Sequence, residues 1–179
     1  PLVPSASPLS RNLDTALRLE DAGASALVMY SLFEEELRAE DAMMERFLVQ
    51  AGIGHSEAQG FLPSQGDFRN GLERYLDHLQ RLKSRLGIPV VASLNGVSLS
   101  GWVELGRALQ QAGADALELN VYHVAGDMQE SGDVVEARYL SLLGELRKVV
   151  SLPIVMKLSP FFSSLPNFAS ISRSASTAK

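Results

Sequence analysis

Hydrophobic positions in this chain fall into two textures that alternate along it. In the first, apolar residues recur at helical spacing. Leu13, Ala16 and Leu17 share one stripe of a helix expected over Asn12–Ala22, with Asn12 or Ser10 as its cap. In the second, apolar residues run almost without a break over five positions, as in Ala26–Tyr30 after the stop at Gly23. The same grammar returns with a helix over Ser100–Ala112, a stop at Gly113 and a strand over Ala116–Asn120; AGASAL (22–27) and AGADALEL (112–119) are near copies. A variant places proline at the strand entrance, where a missing N–H costs little. The helix Gly71–Leu86 leads through Gly87-Ile88-Pro89 to the strand Val90–Leu94, and Val134–Val150 leads through Ser151-Leu152-Pro153 to Ile154–Leu158. With Leu2–Ala6 as a further strand, five strands are expected.

Helices alternating with short apolar strands predict βαβ units and an α/β fold with a parallel sheet. No glycine-rich dinucleotide fingerprint follows the first strand, so the Rossmann arrangement is not indicated. The rhythm suits a TIM (β/α)8 barrel. A full barrel takes about 250 residues, and 179 residues hold about five of its eight units. The reading is an incomplete barrel over residues 1–168 and a serine-rich tail, 169–179, that is disordered or aberrant. A start at Pro1, already inside an apolar stretch, fits a piece of a longer protein. Leu32–Ala51 reads as a helix with Glu34, Glu35, Glu36, Glu40 and Asp41 on its solvent side, and Gly52–Asn70 as an insert of the kind that covers the mouth of a site.

Composition narrows the chemistry. The formal charge of −5 argues against nucleic acid as a partner, because phosphate binding needs a basic face. There is no cysteine, hence no disulfide, thiolate metal site or cysteine nucleophile; no metal site is expected. No apolar run reaches the ~18 residues of a membrane span, so no membrane partner is expected and a cytoplasmic location is the default.

Barrel chemistry sits at the C-terminal ends of the strands. Those ends carry Ser5-Ala6-Ser7, Tyr30-Ser31, Asn95-Gly96, Asn120 followed by Tyr122 and His123, and Lys157. Asn95, Asn120 and Lys157 should converge on one rim. Two carboxamides and an ammonium suit a flat, polar, electron-accepting ring with carbonyl groups. Each also has a plainer explanation: Asn120 can cap a loop, Asn95-Gly96 is a common turn pair, and Lys157 can pair with Glu118. His123 has the titration range of a general base at neutral pH, although a loop histidine is often only solvated.

ELNVYHVAGD (118–127) and PIVMKLSPFF (153–162) resemble the flavin-binding strands of the dihydroorotate dehydrogenase-like family, FMN-dependent TIM-barrel oxidoreductases. PLVPSASPLS (1–10), VVASLNG (90–96) and NGLERYLDHLQRLK (70–83) resemble that family's first strand, third strand and intervening helix, in its order. The resemblance implies noncovalent FMN and a small dihydroorotate-like substrate. That substrate would be oxidised by removal of a proton from one carbon and hydride transfer from its neighbour to the flavin. Carried over, Lys157 faces the flavin N1/O2 region, Asn95 and Asn120 hydrogen-bond flavin or substrate, and Ser5, Ala6 and Ser7 lie along the flavin edge. His123 stands where the family has its Cys or Ser base, Tyr30 where a lysine is usual, and the Ser-Cys-Pro-Asn loop is absent. The family's phosphate-binding loops fall after its last two strands, beyond this chain, and a homodimer is an open expectation for the longer parent. Two alternatives stand beside this reading: a lyase using Lys157 as a Schiff base, and a non-catalytic or inactive barrel fragment.

Overall fold

In a computed structural model of the chain, residues 1–53, 70–158, 162 and 164–177 are described. After a short 3₁₀ turn at Pro8–Arg11 the elements are α1 (Leu13–Asp21), β1 (Leu27–Phe33), α2 (Glu34–Ile53), α3 (Gly71–Arg85), β2 (Val90–Asn95), α4 (Leu99–Gln111), β3 (Ala116–Asn120), α5 (Gly132–Val149), β4 (Ile154–Lys157) and α6 (Leu165–Thr177). The local reasons are those visible in the sequence. The Asn12 side chain accepts from the Thr15 N–H at 3.0 Å and starts α1. Asn70 and Glu73 form a reciprocal capping box on α3. Gly23 and Gly113 follow α1 and α4 at φ 94° and 97°, a conformation that costs other residues energy.

The four strands are parallel and lie in the order β1-β2-β3-β4. That order has no reversal. Right-handed crossovers between successive strands then place the helices on one face of the sheet, whereas a doubly wound fold reverses direction and covers both. Burial agrees. Val90, Ala92 and Leu94 of β2 and Leu117 and Leu119 of β3 join Leu79, Leu82, Leu105, Leu109 and Leu146 of α3, α4 and α5 in one core. Their alternates Val91, Ser93 and Asn95, and Glu118 and Asn120, stay outside that core and occupy the opposite face.

The expected fifth strand is reduced. Leu2 and Ala24 form an isolated parallel bridge, and the carbonyls of Leu2 and Pro4 accept from Ser25 and Val28 at 2.8 and 3.3 Å. Pro4 has no N–H to give back, so the ladder stops there. The serine-rich end also differs from expectation, since residues through Thr177 are helical. Phe168, fully buried, stacks on Phe162 with ring centres 4.6 Å apart and meets Tyr139 edge-on at 5.9 Å. That packing holds α6 where helix propensity alone would not. The expected insert lies mostly outside the described residues.

β1 carries a bulge. Val28 faces Val91 and Ser31 faces Ser93, so β1 spends one extra residue between these pairs. Tyr30 sits in the irregularity. Its N–H donates to Ser10 Oγ at 2.7 Å and its carbonyl accepts from the Tyr75 hydroxyl at 3.0 Å. Neither backbone group is left without a partner. Among the described residues, no helix is long and apolar enough to cross a membrane.

Candidate active site

The face turned away from the helices is polar where a core would be apolar. Ser31, Ser93 and Glu118 stand side by side on three adjacent strands, and Asn120 is level with Lys157 on the next. Their side chains form a continuous chain of hydrogen bonds. Lys157 Nζ lies 3.1 Å from Glu118 Oε1, to which Ser93 Oγ donates at 2.9 Å. Asn120 Nδ2 donates to Ser93 Oγ at 2.9 Å and to Ser31 Oγ at 3.3 Å, and the two hydroxyls are 2.9 Å apart. Ser93, Glu118 and Asn120 are buried, at 0, 6 and 3% exposure. The Glu118–Lys157 pair supplies the structural partner that a buried carboxylate requires.

Among the described residues, two buried side-chain acceptors have no hydrogen-bond partner: Asn95 Oδ1 and Asn120 Oδ1. An unsatisfied buried polar atom calls for an explanation, and these two share one. Both residues line an open cavity of about 870 Å³ beyond the ends of β2 and β3. Trp102, Tyr122, His123 and Arg138 contribute to its walls. The structure thus brings Asn95, Asn120 and His123 to one cavity, with Lys157 joined to Asn120 through Glu118 and Ser93. Ser5, Ala6 and Ser7 follow the Leu2–Pro4 segment beside β1 and do not line this cavity.

His123 is held rather than free. Its Nε2 lies 3.0 Å from Glu130 Oε2 and 2.9 Å from Arg138 Nη1, while Arg138 also pairs with Glu130 at 2.5 Å. Nε2 can donate to Glu130 or accept from Arg138, but not both at once. The cluster therefore offers this ring two protonation arrangements of similar geometry. Tyr30, in the lysine position of the resembled family, is packed instead. The Tyr75 ring lies edge-on at 4.9 Å, the Arg11 guanidinium sits 4.3 Å over its face, and burial raises its pKa.

One residue escaped the sequence reading. Glu34, expected on a solvated face, is 4% exposed. Its carboxylate accepts from the N–H groups of Val97 and Ser98 at 2.5 and 3.0 Å and from Ser98 Oγ at 2.6 Å, just ahead of α4. It pins the loop that follows Asn95 and interacts with the positive end of that helix. Burial by itself would raise its pKa; the Ser98 hydroxyl, the two N–H groups and Arg38 outweigh that, and the net shift is downward. The only sequence signal was Gly101, whose missing Cβ leaves room for this carboxylate.

No family model matches the chain. Among curated proteins it is 30% identical over 98% of its length to the catalytic subunit of dihydroorotate dehydrogenase B (NAD(+)) from Thermoplasma acidophilum, covering 55% of that protein. It is 33% identical to the corresponding subunit from Methanosarcina acetivorans over 56% of its length, and 27% identical to that from Endomicrobium trichonymphae over 66%. These matches cover 33 and 39% of those two relatives, so the chain spans about half, or less, of the curated relatives it matches. A dihydrodipicolinate synthase crystal structure superposes with a TM-score of 0.53 over 96% of this chain and 51% of the other, at 13% identity. That likeness shows fold alone. The structural neighbours are TIM-barrel enzymes, and a sequential parallel sheet with helices on one face is consistent with part of such a barrel.

Proposed function

Since this chain belongs to the dihydroorotate dehydrogenase-like family, we propose that its polar sheet face and the adjoining cavity are part of the active site of a flavin oxidoreductase. That enzyme oxidises a CH–CH bond of dihydroorotate or a related dihydropyrimidine, within a TIM barrel to which this sheet contributes one arc. The observation that carries the reading is the pair of buried, partnerless acceptors, Asn95 Oδ1 and Asn120 Oδ1, beside the cavity. A ring with imide or lactam N–H groups is the kind of ligand that satisfies them.

The residues fit FMN on that ground. Asn95 and Asn120 would accept from ring or substrate N–H groups, and Lys157 would place positive charge beside them. Ser5, Ala6 and Ser7 are kept as ring-edge residues on the strength of the resemblance. FMN, when bound, supplies the hydride acceptor. The chain itself supplies the base: with Nε2–H donating to Glu130 Oε2, 3.0 Å away, His123 takes the substrate proton at Nδ1, and the carboxylate stabilises the imidazolium that forms. The pairing of Lys157 Nζ with Glu118 Oε1 at 3.1 Å suits charge stabilisation better than the free nucleophilic amine of a Schiff-base enzyme.

The test is flavin retention and turnover. Protein incubated with FMN and freed of excess should keep flavin absorbance, and dihydroorotate should bleach it. Asn120→Ala should weaken retention or orotate binding by about tenfold or more, the scale of one buried hydrogen bond lost with its partner left unpaired. N-methylated orotate should bind less tightly than orotate. Protein that takes up no FMN and binds neither orotate nor dihydroorotate would overturn the proposal.

A further inference from the structure

The hydroxyl protons on the sheet face can be counted. Glu118 Oε1, 3.1 Å from Lys157 Nζ, accepts from it. Ser93 has one hydroxyl proton, and its short contact with Glu118 Oε1 at 2.9 Å uses it. Ser93 Oγ therefore only accepts from its other neighbours. Ser31, 2.9 Å away, must donate to it, and so must Asn120. An Asn120 oxygen turned inward would face a lone pair at 2.9 Å, with no proton between them. The carboxamide consequently has one permitted orientation: Nδ2 on Ser93 and Ser31, and Oδ1, buried, without a partner.

We infer that Ser93 is a positioning residue whose single hydroxyl proton, committed to Glu118, fixes the Asn120 carboxamide so that the group it leaves unpartnered beside the cavity is an acceptor and never a donor. Ser93 touches no ligand in this scheme; it acts through Asn120. The backbone supports the role, because Ser93 N–H donates to the Tyr75 hydroxyl at 3.3 Å and the residue is fully buried. The inference deepens the function proposed above and rests on it only for the identity of what binds; the orientation itself needs no ligand.

The experiment uses the full chain, ¹⁵N-labelled and without ligand, so its result is independent of FMN and dihydroorotate. The Asn120 side-chain amide signals are identified by their loss in Asn120→Asp. In the native chain both Nδ2 protons should exchange slowly with water and resonate apart. Ser93→Ala should speed their exchange by about tenfold, as removal of a buried acceptor does. Ser93→Thr, which keeps the hydroxyl, should restore slow exchange. Ser31→Ala should give a smaller acceleration, and it replaces Ser93→Ala as the deciding variant should the latter not fold. Fast exchange in the native chain, or rates unchanged by both alanine variants, would overturn the inference.

Discussion

At the residue scale the informative side chain is Glu34. Four groups converge on its carboxylate, and the α-carbon of Gly101 lies so close that an added Cβ would come within 2.2 Å of it. Glu34→Gln keeps the shape and removes the charge, and should destabilise the fold by about 1–2 kcal/mol. Gly101→Ala should cost about 1–3 kcal/mol by forcing the carboxylate aside. The two changes act on one contact, so a Glu34→Ala/Gly101→Ala double variant should lose less than the sum of the single losses in chemical denaturation. The pH dependence follows from the downward pKa shift. The stabilisation is complete above the ordinary glutamate pKa of about 4.3 and is lost as pH falls through the lowered value. Glu34→Gln should lack this acid-side loss in thermal melts followed from neutral to acid pH. In the sequence only Gly101 bore on this, and a glycine alone does not name the side chain that fills its space. An acidic run at a helix start reads as solvated, and the groups that bury its first member arrive from a loop more than sixty residues later.

At the element scale, punctuation made the helices and strands legible. Glycine after α1 and α4, and proline before β2 and β4, mark ends whose physics is local. The bulge in β1 was not legible, because Leu27–Tyr30 is apolar throughout and an unbroken apolar run carries no parity. Nor was the loss of the Leu2–Ala6 strand, although Pro4 contained the reason. The bulge places a demand on α3: the Tyr75 hydroxyl serves the Tyr30 carbonyl on one side and the Ser93 N–H on the other, and burial pushes its pKa upward. Tyr75→Phe keeps the ring and orphans both backbone groups. It should cost about 1–3 kcal/mol, read from urea midpoints, and by disturbing Ser93 it should also lower affinity for any ligand held by Asn120. The candidate site was legible in part for a related reason. Strand ends can be found from sequence, and Asn95, Asn120 and His123 do meet at one cavity. The hydroxyls behind them could not be found, since Ser31 and Ser93 become significant only through a register that no single segment encodes.

At the scale of the whole molecule, the polar face and the helical face divide the labour of function and stability. Removing Phe168, the buried anchor of α6, should leave the sheet intact while costing about 3–5 kcal/mol, as for other buried aromatic truncations. Loss of helical circular dichroism ahead of the main unfolding transition in Phe168→Ala would show α6 melting first. The unreversed strand order has a kinetic counterpart. Among the described residues each strand leans only on the one before and the one after, as units do in a linear array, and the two interior strands are braced on both sides while β4 has one described neighbour. Opening should therefore begin at an end and travel inward, like books leaving a shelf. Amide exchange should be fastest along Ile154–Lys157 and slowest in β2 and β3. The ammonium of Lys157 would then be the first part of the polar face to come loose, and the carboxamide of Asn120 among the last.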